Sequence, residues 1–321
     1  MRVVSIEEYG PAEGLVASKR PDPEVNPGSM LIEVEAIGVG GVDAVIRRGT
    51  LGSSYAIGMV PGSEAAGTVT RVGEGVSSSW LGKRVWAFTG LGGAYAEKAT
   101  AAVEDVAELP EALPATDAVA LGSAGTVAHF ALEHARFTAG QSVLVRGASG
   151  SLGIMAVQLA AARGAGAIGV TTSTRERGER LRSLGATEVL DRAGRPLDGS
   201  HDPQSFDVLI DIAGGHDLPA FFEKLAPNGR AVSVGVVAGY PPADFGMSLM
   251  RLFQRSLSFA TFSLNTVPVA ERNAERARIF EAAARGELTP VIEAVLPLTE
   301  AAEAHRRMDA GTVFGRVVLT T

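Results

Sequence analysis

The stretch Gln141–Gly164, QSVLVRGASGSLGIMAVQLAAARG, decides how the rest of the chain is read. It opens on a short apolar run of β type, Val143-Leu144-Val145, and passes through a small-residue turn from Gly147 to Gly153. It then turns helical, with Ile154, Val157, Leu159 and Ala161 in register, and a second β-type run follows at Ala167 to Thr172. A strand, a glycine turn, a helix and a strand make a unit suited to anions. Gly147, Gly150 and Gly153 let the backbone turn sharply and approach a pyrophosphate, which lies against the free N–H groups and positive dipole end of the helix. The turn residues Gly147, Ser149, Gly150, Ser151, Leu152 and Gly153 are the candidate set. Their spacing is G-x-x-G-x-x-G, not G-x-G-x-x-G, so the flanking strands and helix carry the reading. A glycine-rich turn in some other α/β fold is the alternative.

Downstream the pattern keeps alternating. Helix Arg175 to Leu184, strand Glu188 to Leu190, strand Phe206 to Ile212, a helix near Leu218 to Leu225, and strands Arg230 to Val236 and Leu257 to Phe262 predict a Rossmann-type, doubly wound parallel sheet. Upstream, residues 1 to about 110 read differently. Short β-branched runs (Val3-Val4, Leu31 to Val39, Gly67 to Val72, Arg84 to Ala87) alternate with Gly, Pro and Ser turns, with one short helix at Val42 to Arg47. An alanine-rich helical segment, Pro114 to Phe137, joins the two halves. The tail carries an amphipathic helix Val269 to Arg285, a strand Val291 to Leu296, a helix Thr299 to Ala310 with Thr299 as its cap, and a strand Gly315 to Leu319. It reads as a return to the first domain, giving residues 1–115 with 268–321, and 116–267.

The end of the second strand of the unit indicates which nucleotide. An Asp or Glu about 20 residues past the glycine turn takes the ribose 2′-OH of NAD, whereas an Arg accommodates the 2′-phosphate of NADP. Here the chain reads Thr171-Thr172-Ser173-Thr174-Arg175-Glu176-Arg177. Hydroxyls stand where the carboxylate would be, and guanidinium groups match phosphate through charge-assisted hydrogen bonds. Thr172, Ser173 and Arg177 therefore point to NADPH. The other reading makes the arginines a solvated first helical turn, although cations there oppose the helix dipole.

Composition narrows the chemistry. The 321 residues suffice for two domains, and 46% hydrophobic with 20% charged content fits a soluble globular protein. No apolar run reaches a membrane span and the first ten residues, MRVVSIEEYG, read as a strand, so a cytoplasmic protein is expected. There is no cysteine, which excludes disulfides, cysteine-ligated zinc and thiol nucleophiles. A net charge of −7 without a basic stripe argues against nucleic acid and for small substrates. His129 and His134 are five apart, a spacing that does not put both on one helix face as metal ligands require. His201 reads as a loop residue, and His216 and His305 as surface positions. None is assigned a catalytic role, and no metal site is expected.

Several segments together resemble the medium-chain dehydrogenase/reductase superfamily, and within it the zinc-free quinone oxidoreductase branch that includes zeta-crystallin. They are Ala36-Ile37-Gly38-Val39 with Asp43 and Arg47-Arg48-Gly49; Pro61-Gly62-Ser63-Glu64-Ala65-Ala66-Gly67; Gly93-Ala94-Tyr95-Ala96-Glu97; the glycine turn; Leu184-Gly185-Ala186; and Gly315-Arg316-Val317-Val318-Leu319. The resemblance implies a GroES-like catalytic domain beside the nucleotide domain. Zinc-dependent members carry a Cys near Gly40 and a His at Ser63, and this chain offers neither. Quinone reductases of the branch carry Asn-Pro where Gly40-Gly41 stand and a Tyr at the position of Leu51, with Tyr55 here out of register.

The resemblance further implies that Thr126, Ala213, Gly235, Val236, Phe262 and Ser263 lie along the ribose and nicotinamide. It implies that Arg316 reaches the pyrophosphate, held by Glu64; a purely structural Glu64–Arg316 ion pair is the other reading. The expected reaction is hydride transfer from NADPH to a quinone or to the β-carbon of an α,β-unsaturated carbonyl. Asp43, Tyr55, Ser63 and Tyr95 are candidates for orienting that acceptor, each of which could instead be packing or turn chemistry. An apolar, late strand at Leu257 to Phe262 would leave an edge that self-pairing covers, so a C2 homodimer is expected. A nucleotide-binding or redox-sensing protein without turnover is the reading from another class.

Overall fold

The computed structural model describes residues 1–50, 55–197, 199 and 205–321. The chain divides into two units, Met1–Ser123 with Pro268–Thr321, and Ala124–Val267. In chain order the first unit supplies β1 (Arg2–Ile6), β2 (Leu15–Lys19), β3 (Ser29–Val39), α1 (Gly41–Arg47), β4 (Glu64–Val72), β5 (Arg84–Phe88), β6 (Lys98–Ala102) and β7 (Val106–Glu108). Helix α2 (Ala115–His134) contains the border between the units. The second unit holds β8 (Ser142–Arg146), α3 (Ser151–Ala162), β9 (Ala167–Thr171), α4 (Arg175–Arg182), β10 (Glu188–Leu190) and β11 (Phe206–Asp211). It continues with α5 (Leu218–Phe222), β12 (Leu225–Ser233), α6 (Gly246–Arg251) and β13 (Ser258–Thr261). The chain returns to the first unit through α7 (Val269–Ala284), β14 (Ile292–Pro297), α8 (Ala301–Asp309) and β15 (Arg316–Thr320).

The second unit is the α/β layer predicted from the glycine turn. Its six strands are all parallel, in the order β10-β9-β8-β11-β12-β13. The chain leaves β8 toward β9 and β10, then crosses back to place β11 on the other side of β8. Ligands of open parallel sheets bind outside the carboxyl ends of the strands at such a reversal. Strands covered on both faces by helices are apolar throughout, as in the runs Val143-Leu144-Val145 and Val208-Leu209-Ile210, all buried. Gly169 leaves room for Phe206: a Cβ there would lie 2.4 Å from the Phe206 ring. Helix α3 is buried from Gly153 to Ala160, whereas Ala161, read as part of its apolar face, is exposed.

The first unit is mostly β. Eleven-residue β3 is its spine, pairing antiparallel with β4, β6 and β15. β4 continues to β5 and β7, and β14 lies parallel to β15. The return of the tail is thus a sheet pairing, with Val317 opposite Val39 and Val318 opposite Gly38. Strands β2, β6 and β7 and helix α6 were not anticipated, being short and poor in β-branched or periodic apolar runs. Thr299 is not a cap: residues Leu298–Glu300 form a 3-10 turn, and α8 begins after Glu300. No helix among the described residues is long and apolar enough to cross a membrane.

Candidate functional site

In the second unit the glycine turn lies at the carboxyl end of β8, and each glycine has its own reason. Gly147 adopts φ +84°, and its N–H donates to Thr171 Oγ1 at 3.0 Å. Gly153 is required by packing, since a Cβ would stand 2.5 Å from Ala148 Cα and 2.7 Å from the Gly147 carbonyl oxygen. Gly150, the N-cap of α3, has ordinary extended backbone, and a Cβ there would meet nothing within 4 Å. What Gly150 provides is an open approach. The N–H groups of Ser151, Leu152 and Gly153 occupy the first turn of α3, where a helix offers no internal acceptor. Ser149 Oγ is 2.8 Å from Thr172 Oγ1, which joins the turn to the end of β9.

Ser173 is exposed and Arg177 half-buried. Arg177 extends a guanidinium N–H to Ser173 Oγ at 3.3 Å, while its backbone N–H is capped by Thr174 Oγ1. Arg175 turns away to the Leu197 carbonyl, 3.0 Å distant. The hydroxyl and guanidinium chemistry read from the sequence is therefore gathered on Ser173 and Arg177.

On the other side of β8 the turn after β11 carries Ala213, Gly214 and Gly215. It is stitched to the loop after β12 by Ala238 N–H to the Ala213 carbonyl and Gly215 N–H to the Gly239 carbonyl, both 2.7 Å. Gly235 packs against Ile212, where a Cβ would lie 2.7 Å from the carbonyl oxygen, and Val236 is exposed. Phe262 and Ser263 follow β13; the Phe262 ring lies 5.5 Å from that of His134, tilted by 41°, and Ser263 Oγ caps a short 3-10 turn. Thr126 is fully buried within α2. The hydroxyl residues and these residues all lie in the second unit; Ser149 and Thr172 bond the glycine turn to the end of β9, and Ser173 with Arg177 forms a second pair at the same strand end.

The first unit holds the other candidates and a network that sequence reasoning missed. Asp43, Tyr95, His305 and Arg47 are all buried. Arg47 Nε donates to His305 Nδ1 at 3.2 Å. A guanidinium can only donate, so Nδ1 is bare and the imidazole proton sits on Nε2. Nε2, 2.9 Å from Tyr95 Oη, donates to it, and Tyr95 donates in turn to Asp43 Oδ2 at 3.4 Å. Oδ2 also accepts from Gly40 N–H at 2.8 Å, while Oδ1 is buried with no partner. Asp309 closes the outer end with a 2.7 Å pair to Arg47.

Electrostatics follow from this burial. Desolvation raises the Asp43 carboxyl to about 6, against the pull of the Gly40 N–H, Arg316 and Tyr95. Burial, with Arg47 beside it, lowers His305 to about 3. Burial also pushes the Tyr95 phenol well above its usual value. The surface position expected for His305 is thus wrong: α8 turns its side chain inward, where Tyr95 and Arg47 satisfy both ring nitrogens.

Tyr95 packs on Gly62, where a Cβ would come within 2.3 Å of its ring. Ser63 is buried, its carbonyl accepting from Thr89 N–H at 2.9 Å. Tyr55 is half-buried and presents its carbonyl to Tyr9 Oη at 2.9 Å. Asp43 and Tyr95 are joined by a hydrogen bond, and Tyr55 packs against the apolar cluster that contains Tyr95. Leu51 and His201 lie outside the described residues.

Arg316 is buried and bonded to Glu64 Oε1, whose other oxygen accepts from Trp86 Nε1 at 2.9 Å and Ser123 N–H at 3.2 Å. Burial brings Arg316 down to about 10. The Arg316 guanidinium is held by Glu64, as both readings of the pair require, and is 7% exposed. Among the described residues no cluster of three or more His, Cys, Asp or Glu side chains could hold a metal ion.

Comparison with known proteins adds the family. The alcohol dehydrogenase GroES-like domain model matches residues 26–111, and the zinc-binding dehydrogenase model matches residues 184–319. Quinone oxidoreductase from Rattus norvegicus is 34% identical over 315 residues, covering 95% of this chain and 93% of the relative. The Homo sapiens quinone oxidoreductase is 31% identical, covering 99% and 97%. Among solved structures, a mycobacterial protein complexed with NADPH superposes at a TM-score of 0.89 with 28% identity, over 100% of both chains.

Proposed function

This chain belongs to the zinc-free quinone oxidoreductase branch of the medium-chain dehydrogenase/reductase superfamily, and from that membership we propose that it transfers a hydride from NADPH to a quinone. The observation that carries the cofactor is the gathering of Ser149, Thr172, Ser173 and Arg177 at the carboxyl ends of β8 and β9. It supplies hydroxyls and a cation where NAD-selective sites present a carboxylate. The first-turn N–H groups of α3 hold the pyrophosphate beside the open face of Gly150, and Arg177 with Ser173 holds the 2′-phosphate. Bound NADPH supplies the hydride and the electronic work of its transfer.

The second unit serves as the nucleotide domain and the first as the acceptor domain. Asp43 and Tyr95 are fully buried, so they act on the acceptor through the backbone they fix at Gly40 and Gly62. They are positioning residues, with Ser63 the hydroxyl next to that backbone. The reduced quinone anion takes its proton from water, so the reaction does not depend on a dedicated acid. We place the protein in the cytoplasm as a C2 homodimer. Support for the dimer comes from β13, the edge strand of the parallel sheet; a monomeric mass by sedimentation at micromolar concentration overturns it.

NADPH oxidation against a panel of quinones and enones, with NADH in parallel and products identified, tests the assignment. Quinone turnover with NADPH preferred is expected. Oxidation driven only by enones moves the reaction to C=C reduction, and NADPH binding without any turnover leaves a sensing role.

A further inference from the structure

A buried ion pair lies at the point where the order of the parallel strands reverses. Arg146 is the last residue of β8, immediately before the glycine turn, and Asp211 is the last of β11; the two are opposite each other in the sheet. Their side chains are 6% and 0% exposed, with Arg146 Nη1 3.0 Å from Asp211 Oδ1. The same Nη1 donates to the Gly214 carbonyl at 2.5 Å. The Asp211 carboxylate accepts from the Gly214 N–H, at 3.2 and 3.1 Å to its two oxygens. Below, the Arg146 guanidinium lies 4.4 Å from the Phe221 ring centroid. Both backbone groups of Gly214 are thus gripped by one charge pair.

Gly214 is a position that needs gripping. It has φ +64°, and a Cβ would come within 2.8 Å of the Gly239 carbonyl oxygen. The turn it belongs to touches the glycine turn after β8, where a Cβ on Gly147 would lie 3.4 Å from Ile212 Cβ. It is bonded on its far side to the loop at Val236 to Gly239. The pair therefore locks three loops at the carboxyl edge of the sheet into one shelf. Burying two charges is expensive, and an apolar pair of similar volume often serves stability as well or better. Stability alone does not explain the choice of residues.

We propose that Arg146 and Asp211 are positioning residues for the dinucleotide, fixing the Gly214 turn so that the shelf matches the cofactor's nicotinamide half. This rests on the NADPH reading above. The adenosine half of a dinucleotide occupies the β8–β9 side of the reversal and the nicotinamide half the β11–β12 side. The latch acts on the second, so the two halves respond differently when it is removed.

The test uses Arg146→Met/Asp211→Leu, which removes the latch without leaving a lone buried charge, and Arg146→Lys, which keeps the charge and loses the guanidinium fork. Calorimetric binding of NADPH and of 2′,5′-ADP is measured alongside thermal unfolding of the unliganded proteins. The double variant is expected to fold with a midpoint a few degrees below wild type, because the Gly214 N–H and carbonyl lose their partners, to bind NADPH about 10–100-fold more weakly, and to bind 2′,5′-ADP as wild type does. Arg146→Lys is expected to show the same pattern to a smaller degree. Wild-type NADPH affinity in either folded variant, or equal weakening of both ligands, overturns the proposal. Failure of the wild-type protein to bind NADPH would instead overturn the cofactor reading on which it rests.

Discussion

The Asp43–Tyr95–His305 chain predicts a compensation that single substitutions unmask. His305 is held near 3 in the folded protein, from an ordinary 6.5. Its contribution to stability is present above pH 6.5 and is lost as pH falls toward 3, because only the unfolded chain takes up the proton. Asp43 runs the other way. Its folded value of about 6 lies above the ordinary 3.8, so its contribution is present below pH 3.8 and is lost as pH rises through 6. Each slope is about 1.4 kcal/mol per pH unit. Between pH 3.8 and 6 the two oppose each other and nearly cancel. Of the groups facing them, Arg316, at about 10, keeps its charge across that window, Tyr95 stays neutral, and the neighbouring arginines hold the Asp309 carboxyl below its usual value.

Urea unfolding of wild type, His305→Gln, Asp43→Asn and the double variant at pH 4.5 and 7.5 checks this. Comparing each variant with wild type at the same pH cancels every other titrating group. The stability advantage of wild type over His305→Gln is expected to shrink by about 3 kcal/mol from pH 7.5 to 4.5. Against Asp43→Asn it is expected to grow by about 2 kcal/mol over the same interval. The gap between wild type and the double variant should shrink by only about 1 kcal/mol, because the two slopes oppose each other in the wild-type protein. A gap between wild type and His305→Gln that is flat with pH would refute the reasoning. It would mean that folded His305 titrates as an exposed imidazole, and that Arg47 does not hold Nδ1 bare.

Three further outcomes are expected. Arg177→Ala should lower the preference for NADPH over NADH by about 10–100-fold, the worth of a charge-assisted hydrogen bond, read as the ratio of kcat/KM values; an unchanged ratio removes Arg177 from the phosphate site. Gly150→Ala should change stability by less than about 1 kcal/mol, the entropic gain being offset by the poor N-cap preference of Ala, while weakening NADPH. Gly153→Val, whose side chain collides with the Ala148 backbone, should cost about 1–3 kcal/mol, and calorimetry with urea unfolding separates the two cases. Glu64→Ala should cost about 3–5 kcal/mol by removing the buried carboxylate that pairs with Arg316; a urea midpoint close to wild type would contradict a contribution of that pair to stability.

The architecture was legible because period and order carry it. Apolar runs of strand length, alternating with helical segments after a glycine turn, admit few arrangements, and the parallel order of β8 to β13 is one of them. Helix α1 and the return of β15 to β3 were visible for the same reason. Short, weakly apolar β2, β6 and β7 were not, since Lys98-Ala99-Thr100-Ala101-Ala102 owes its strand state to pairing with β3 rather than to its own propensity. At the glycine turn, spacing separated the roles of the three glycines poorly. Their sequence context is alike, while one turns the chain, one admits a helix and one leaves space.

The buried polar groups were the least legible part, and the reason is geometric. Arg47 and His305 are 258 residues apart, and nothing local in Glu303-Ala304-His305-Arg306 distinguishes an inward histidine from an outward one. Amphipathicity gives the sign of a helix face only where the inward residues are apolar. In α8 the inward face includes Ala301, Ala304 and His305, so an ionisable residue takes a core position and the pattern reads it as surface. Arg146, a buried arginine at the end of an apolar strand, is a second such case. In both places the inconsistency between residue type and position is the signal that was available. A charged or titratable residue in a segment otherwise buried on both faces must find a partner. For Arg146 that partner, Asp211, ends the neighbouring strand of the same sheet, so once the strand order is inferred the pair follows from register alone.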